Sequence, residues 1–365
     1  FILHAVPGAG GGLEHLNSQV SASRDLRFTD REKYEDYLSL ISHEYFHLWN
    51  VKRLRPAMLG PFDYARETYT ESLWICEGLT VYYEWLLLLR GGVIKRDRLL
   101  KAWASDIERW QGRPGNAVMG LRESSFLAWT KLYLMDENFA NSGISYYLKG
   151  GLVGMLLDLE IRKRTRGRRS LDDVMRLGVE RHGYPKPGFE RRGFEAMVEE
   201  IAPGDWKAWF EHHLDSTTPL DLEGALAAVG LELVHDVDDK ADVDSGKKEK
   251  RTKKPWLGWQ LKDEKSALTI SSVETGSPAS TGGVSAKDEL LAVNGMRVKS
   301  NSDVEQLLDY HGKGTKLALT VFRNDRLHQC SVTIGEKPAG SLVLRVMKKA
   351  NVAQFKRLED WLGKA

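Results

Sequence analysis

The period of the hydrophobic pattern changes once along this chain of 365 residues, and the change limits how the chain can fold. Before residue 236, apolar residues recur mainly at helical spacing, whereas after Pro255 they alternate in short runs of period two. The stretch 236–254 between them is dense in charge, first acidic and then basic. We therefore expect a mainly helical region, an exposed charged linker at 236–255 and a separate small β-rich module.

The first half of the chain contains the strongest helix signals. Residues 1–20 read as an edge strand and a Gly-rich loop, so the sequence is expected to begin inside a fold. A helix is predicted over 31–51, capped by Asp30, and a second helix over about 71–89. Further helical patterns follow at 145–164, 170–181, 189–201, 205–214 and 221–229.

Charge and hydropathy give no support for a nucleic-acid or membrane partner. Lys and Arg total 53 and Asp and Glu total 51, so the net charge of +2 gives no argument for nucleic acid or an anionic membrane. The Lys run within 236–254 lacks interleaved aromatic residues, and we interpret it as solvated linker rather than as a nucleic-acid patch. Glu77 and Glu84 interrupt the apolar run at 73–89, so no membrane span is expected.

One short motif on the first predicted helix has the spacing of a metal site. Residues 43–47 read His-Glu-Tyr-Phe-His, and residues four apart lie on one helical face. His43 and His47 can therefore both reach one zinc ion, with Glu44 placed to take a proton from water. A catalytic zinc needs a third protein ligand and an open position. The alternative interpretation is a chance match on an ordinary helix.

Residues 43–56, HEYFHLWNVKRLRP, and 73–83, LWICEGLTVYY, together resemble the glycyl aminopeptidase family of zinc peptidases, within the gluzincin group. The resemblance implies one Zn²⁺ ion and assigns Glu77 as its third ligand. Glu84, seven residues on, shares the helical face of Glu77, whereas Glu71 does not; both stay open as alternatives, as does a salt-bridge role for Glu77.

The same resemblance leaves the surroundings of the ligands open. A carboxylate four residues after the Glu ligand orients a His in many gluzincins, but that position is Val81 here, so another residue must hold the imidazoles. Asn50, Lys52, Arg53 and Arg55 fit the family signature without a firm role, and they are interpreted as structural partners of nearby carboxylates.

Two further segments resemble substrate-binding elements of related aminopeptidases. Gly11, Gly12 and Glu14 resemble the exopeptidase strand, in which a Glu binds the substrate's free amine and the backbone aligns the peptide. His15 stands where those enzymes usually carry Asn, and the alternative is a flexible loop ending in a surface Glu.

The second segment is Ser145-Tyr-Tyr-Leu-Lys-Gly150, which resembles a Y-x-K-G element whose Tyr donates a hydrogen bond to the developing oxyanion. The match assigns Tyr147 to this role, with Tyr146 as the adjacent alternative in the substrate site. A Tyr that merely packs in the core is the other interpretation. The implied mechanism is metal-assisted amide hydrolysis with Glu44 as the general base.

The β-rich module resembles a PDZ domain of the bacterial protease type, from Gly276-Ser-Pro-Ala and the run Asp288 to Gly295. Lys287 replaces the usual Gly before Asp288. Leu257, Gly258 and Trp259 would form the loop that captures a peptide's C-terminal carboxylate. The alternative is a PDZ fold with a purely structural role.

These inferences predict an α+β chain: a thermolysin-like, mainly helical zinc peptidase region followed by a PDZ domain. The expected boundaries are 1–235 for the catalytic region (zinc subdomain about 1–140, helical subdomain about 141–235), 236–255 for the linker, 256–337 for the PDZ domain and 338–365 for a strand and helix tail. The family's N-terminal β domain is not recognised in this sequence.

Three functions compete at this stage. The first is an aminopeptidase that removes small N-terminal residues, the second a zinc endopeptidase whose PDZ domain recruits substrate, and the third an inactive peptidase fold serving as a PDZ scaffold. The intact set of His43, Glu44, His47 and Glu77 argues against the third. Peptide or protein substrates are expected, and the resemblance favours a bacterial periplasmic or secreted protein over a cytoplasmic one.

Overall fold

The structure, a computed structural model, describes residues 1–24, 27–236, 239–241, 248–250, 253–264, 267–338 and 340–364. Much of the predicted linker at 236–255 lies outside the described residues. Its described part contains two short strands, Asp239–Ala241 and Lys248–Lys250, which pair antiparallel, and the start of a third strand, Lys253–Trp256.

A three-stranded sheet precedes the first long helix. It consists of β1 (Ile2–Ala5), β2 (Gly12–Glu14) and β3 (Gln19–Ser23), with β3 in the centre, parallel to β1 and antiparallel to β2. The helix α1 (Arg31–Phe46) begins where the Asp30 side chain accepts a hydrogen bond from the Lys33 amide at 3.1 Å. The prediction of helix to residue 51 was wrong, because α1 ends at Phe46 and the chain then turns.

Helices make up most of the chain up to residue 228. After a single π-helical turn at Trp74–Gly78, they are α2 (Leu79–Arg90), α3 (Arg96–Gln111), α4 (Leu121–Phe126), α5 (Phe139–Ser142), α6 (Tyr146–Arg164), α7 (Leu171–His182), α8 (Gly193–Ile201), α9 (Lys207–Phe210) and α10 (Leu222–Ala228). A second π turn, Glu211–Asp215, continues α9, and 3-10 turns occur at Arg27–Thr29, Ala57–Leu59 and Pro114–Ala117.

Close packing of α6 against the first π turn places the elements that form the site. Gly78 and Gly150 face each other so closely that a Cβ on either residue would collide with the backbone of the other. Gly154, one turn further along α6, packs against the side chains of Leu79 and Tyr82, which leave little room for a Cβ. These glycines allow the two backbones to approach, and the N-terminal end of α6 is thereby brought beside α1 and α2.

The β-rich module has its own hydrophobic core. We number Leu231–His235 as β4 and the two linker strands, Asp239–Ala241 and Lys248–Lys250, as β5 and β6. The elements of the module are β7 (Lys253–Trp256), β8 (Trp259–Glu264), β9 (Ala267–Val273), α11 (Pro278–Thr281), β10 (Glu289–Val293), β11 (Met296–Arg297), α12 (Asn301–His311), β12 (Lys316–Arg323), β13 (Arg326–Thr333) and β14 (Gly335–Pro338). Its main sheet runs in the order β13-β12-β10-β9-β8, and α12 packs beside the edge strand β8.

The tail after this module returns to the helical core. Strand β15 (Leu342–Val346) pairs antiparallel with β4, and helix α13 (Val352–Leu362) packs against α2. The buried Trp361 stacks on Trp103 at 5.2 Å and donates its indole N–H to the Tyr82 hydroxyl at 2.9 Å. The module is therefore inserted between two paired strands of the helical region. Among the described residues, no helix combines the length and apolar content that crossing a bilayer requires.

Candidate metal centre and substrate site

Two imidazoles and one carboxylate meet between α1 and the π turn. Glu77 Oε2 lies 3.2 Å from His47 Nε2 and 3.3 Å from His43 Nε2. Two ligands of a tetrahedral zinc ion, each bonded at about 2.0–2.1 Å, are about 3.3 Å apart. The observed separations match that spacing, so the carboxylate and both rings are arranged to share one cation.

The π turn at Trp74–Gly78 presents Glu77 to the two rings. In this wider turn the Leu79 amide bonds the Trp74 carbonyl, five residues back, instead of the carbonyl four residues back. Such single turns are frequent at functional sites. Here the turn packs on α6 through Gly78, which fixes the backbone from which Glu77 projects.

The second nitrogen of each ring is held by a separate partner. His43 Nδ1–H donates to Glu84 Oε2 at 2.8 Å, and His47 Nδ1–H donates to the Asn50 carbonyl at 2.7 Å. Both Nε2 atoms therefore face Glu77, as metal-ligating histidines require. Glu84 and a backbone carbonyl thus do what the missing carboxylate at Val81 would have done.

The other candidate carboxylates are occupied elsewhere. Glu71 forms an ion pair with Arg191 at 2.9 Å, and Glu84 contacts His43 through Nδ1 rather than Nε2. Among these three acidic residues, Glu77 is the one that reaches Nε2 of both histidines.

Burial and charge act in opposite directions on the cluster. Burial would lower the pKa of His43, but hydrogen bonds and charge from Glu77 and Glu84 outweigh it and raise that pKa to about 10. Burial would raise the pKa of Glu77, but hydrogen bonds from both histidines lower it to about 2. Glu77 is therefore ionised, and His43 carries a proton that a divalent cation would displace on binding, since a ligating imidazole is neutral.

Two stretches of the chain match known protein families. Residues 36–153 match the family model described as M61 glycyl aminopeptidase, and residues 255–334 match the PDZ domain model. The chain contains an M61 peptidase domain and a PDZ domain.

Two relatives show how far the similarity extends. An aminopeptidase N family protein from Idiomarina loihiensis superposes with a TM-score of 0.86 at 29% identity, over 99% of this chain and 62% of its own. A probable periplasmic serine endoprotease, DegP-like, from Brucella suis is 30% identical over 112 residues, which is 27% of this chain and 22% of that protein. The predicted α+β fold of a helical peptidase domain followed by a PDZ domain is confirmed, and these findings support a peptidase.

Strand β2 borders the cluster formed by His43, His47 and Glu77. Ligand atoms of Glu14, Glu44 and His47 lie within 4.8 Å of one another, and Glu14 Oε1 also pairs with Lys52 Nζ at 3.2 Å. Gly12 packs so tightly on the Glu44 carboxylate that a Cβ there would overlap it. Glu44, 5% exposed, therefore lies between the strand and the histidines.

Gly11, which precedes the contact between Gly12 and Glu44, has a different role. Gly11 has φ +97°, in the left-handed region, and its carbonyl accepts a hydrogen bond from the Ala22 amide at 2.8 Å. It turns the chain into β2, while Gly12 allows the close approach to Glu44. His15, the residue that departs from the family pattern, is exposed, and its ring contacts the Leu13 carbonyl at 3.2 Å.

The two tyrosines at the start of α6 occupy different environments. The Tyr147 ring lies 6.3 Å from the His43 ring, beside the cluster. Burial, and next the charge of Glu77, raise the pKa of Tyr147, so it keeps its proton at neutral pH. Tyr146 stacks behind it at 4.8 Å and is 1% exposed, so Tyr147 is the better placed of the two to contact substrate.

The signature residues after α1 stabilise the turn that follows it. Asn50 donates its side-chain amide to the Ile75 carbonyl at 2.7 Å, tying this turn to the π turn. Arg53 caps the Leu48 carbonyl at 2.7 Å, and the Arg55 guanidinium lies 5.1 Å from the centre of the Phe62 ring. Of the predicted carboxylate contacts in this group, the structure shows the one from Lys52 to Glu14.

The predicted carboxylate loop of the PDZ domain lies between β7 and β8. Leu257 is buried in the PDZ core, and Gly258 has φ +77°. Trp259 begins β8, the edge strand beside α12. The loop thus lies at the end of the groove between β8 and α12 where added peptide strands bind in such domains.

Sequence reasoning missed two parts of this site. It considered Glu84 as a metal ligand and not as the partner of His43 Nδ1, although the seven-residue spacing from Glu77 was visible. It also missed Tyr133, whose hydroxyl lies 3.3 Å from that of Tyr147. No local motif marks Tyr133, which comes from an irregular segment.

Proposed function

We propose that this protein is a zinc metallopeptidase in which His43, His47 and Glu77 hold one Zn²⁺ ion. The observation that carries the proposal is the contact of one Glu77 oxygen with Nε2 of both histidines, while each Nδ1 is held by another group. When bound, zinc would supply a lowered pKa for the attacking water and polarisation of the scissile carbonyl.

Glu44 is placed to act as the general base. It is the buried carboxylate next to both His43 and His47, and burial raises its pKa despite the opposing charge of the histidines. A carboxylate with a raised pKa takes a proton from water more readily. Glu44 would accept that proton and then deliver it to the leaving amine.

Tyr147 and Glu14 are proposed to bind different parts of the substrate. The protonated Tyr147 hydroxyl would donate to the carbonyl oxygen as negative charge develops on it. Glu14 would bind the free α-amine, with the exposed backbone of β2 aligning the peptide as an added strand. These roles support an aminopeptidase reaction, and the match to the glycyl aminopeptidase family adds a preference for small N-terminal residues.

A panel of short peptides with free and acetylated N-termini tests the aminopeptidase reaction. The zinc-loaded protein should cleave the free peptides and leave the acetylated ones intact, because the acetyl group removes the charge that Glu14 binds. Glu14→Gln should raise KM for free peptides by about tenfold, the loss of one charge-assisted hydrogen bond. Efficient cleavage within acetylated peptides would instead support an endopeptidase whose PDZ domain recruits substrate.

Gly12→Ala provides a test of the β2 contact. The added methyl group must displace the Glu44 carboxylate, the flexible end of a side chain, so the fold should tolerate the change. We expect kcat to fall by about a hundredfold, the lower range of a lost general base, with zinc content unchanged. Measured kcat, bound zinc and melting temperature check this, and a fully active variant would contradict the placement of Glu44.

For the PDZ domain we propose that Leu257, Gly258 and Trp259 bind the C-terminal carboxylate of a peptide or protein. The support is the position of this loop at the end of the open edge strand β8. Calorimetry should show binding of a peptide with a free C-terminal carboxylate. The same peptide with an amidated C-terminus should not bind.

A further inference from the structure

One irregular segment of the M61 domain reaches both the catalytic site and the PDZ domain. This segment, residues 127–138 between α4 and α5, is called the bridging segment below. On one side it carries Tyr133, which is 62% exposed although its hydroxyl lies 3.3 Å from the Tyr147 hydroxyl. Trp129, from the same segment, donates its indole N–H to the Thr68 carbonyl at 3.3 Å.

The other side of the bridging segment is attached to the PDZ domain. Asn141, in the following helix α5, donates its side-chain amide to the Val273 carbonyl at 2.8 Å and accepts from the Thr275 amide at 2.9 Å. Both bonds come from one side chain to one short stretch of backbone, so they fix orientation as well as distance. An exposed ion pair between Glu137 and Lys287, at 2.7 Å, lies beside them.

This attachment point adjoins the predicted carboxylate loop. Between the two residues that Asn141 holds, the Glu274 amide donates to the Gly258 carbonyl at 2.8 Å. In the same ladder, Trp259 pairs with Val273 across β8 and β9. The backbone that holds Asn141, three residues after the bridging segment, is therefore the backbone that supports the predicted carboxylate loop.

We propose that Tyr133 is a positioning residue for Tyr147, and that the PDZ domain holds it in place through Asn141 and the bridging segment. The inference rests on the proposed peptidase function, since it concerns the oxyanion donor of that reaction. It adds a residue to the site and makes the PDZ domain part of the active-site structure.

The physical reason lies in the rotation of a phenol hydroxyl. Tyr147 can point its proton at the substrate oxygen or away from it. If Tyr133 donates to the Tyr147 oxygen, that oxygen is occupied as an acceptor and its own proton is directed toward the substrate. Chains of hydroxyls in which each donates to the next also strengthen the last donor.

Tyr133→Phe tests the first part, because it removes the hydroxyl and keeps the ring. We expect kcat to fall about three- to tenfold, the worth of one neutral hydrogen bond, with little change in KM. Tyr64→Phe is the matched control, since Tyr64 is 91% exposed and belongs to neither site, and it should match the parent. The absorption spectrum of the Co²⁺-substituted protein should be the same in all three, which shows that the metal ligands have not moved.

A double-mutant cycle with Asn141→Ala tests the second part. In the full chain Asn141→Ala should lower kcat in the same direction as Tyr133→Phe, and it should have no further effect in the Tyr133→Phe background. Additive losses would show that Asn141 does not act through Tyr133, and a Tyr133→Phe protein with the parent's kcat would overturn the proposal. A zinc-loaded parent that hydrolyses no peptide would instead contradict the proposed function on which this inference rests.

Discussion

Glu44→Gln is expected to lower kcat for peptide hydrolysis by about 10²- to 10⁴-fold, the usual contribution of a general base. The amide fills the same space between Gly12 and the histidines but cannot accept a proton from water. Because burial raises the pKa of Glu44, the parent carboxylate is also a stronger base than an exposed Glu. Steady-state kinetics on a free-amine dipeptide give the measurement.

Two controls separate this loss from indirect effects. Zinc bound per chain should stay at the parent's level, because Glu44 is not among the three proposed ligands. KM should change little, because Glu14 and β2 hold the substrate. A Glu44→Gln protein that hydrolyses peptides at the parent's rate would contradict the assigned base.

Glu77→Gln should weaken zinc binding by more than about a hundredfold and abolish hydrolysis at limiting zinc. The usual cost of losing a supporting partner of a metal ligand is about 10- to 100-fold in affinity, and loss of a ligand should exceed it. An amide is a poorer and uncharged donor at a position where the parent's carboxylate is fully ionised, its pKa being about 2. Competition with a chelator of known affinity measures the change.

The same helix region supplies graded controls. Glu84→Gln should fall within the 10- to 100-fold range, because it affects the metal through His43 Nδ1 only. Glu71→Gln should leave zinc affinity unchanged, because that side chain is paired with Arg191. If Glu71→Gln weakened zinc binding more than Glu77→Gln, the assignment of the third ligand would be wrong.

The features of the molecule that depend on local spacing could be predicted from the sequence. His43 and His47 meet because residues four apart share a helical face, even though α1 ends at Phe46 and His47 is its cap. The alternation after Pro255 likewise indicated the β-rich module. In both cases the information lies within a few residues.

Other features depend on contacts between distant segments. The carbonyl of Asn50 holds His47, and a backbone atom has no sequence signature. The tail helix α13 was visible from its amphipathic pattern, but its packing against α2 through Trp361 was not. The π turn was also read as ordinary helix, because one extra residue in a turn leaves the hydrophobic pattern nearly unchanged.

Tyr133 and Asn141 are the plainest examples of this limit. Each lies outside any recognised motif, and each gains its meaning from a partner more than ten residues away, Tyr147 for one and the Val273 carbonyl for the other.

The central claim is that two imidazoles and one carboxylate from separate elements share a single zinc ion. X-ray absorption at the zinc edge of the zinc-loaded full chain tests it most directly. We expect one ion per chain with nitrogen and oxygen neighbours at about 2.0–2.1 Å, two of them imidazoles, and loss of one imidazole in His47→Ala. Failure to bind stoichiometric zinc, or a spectrum unchanged by His47→Ala, would contradict the account.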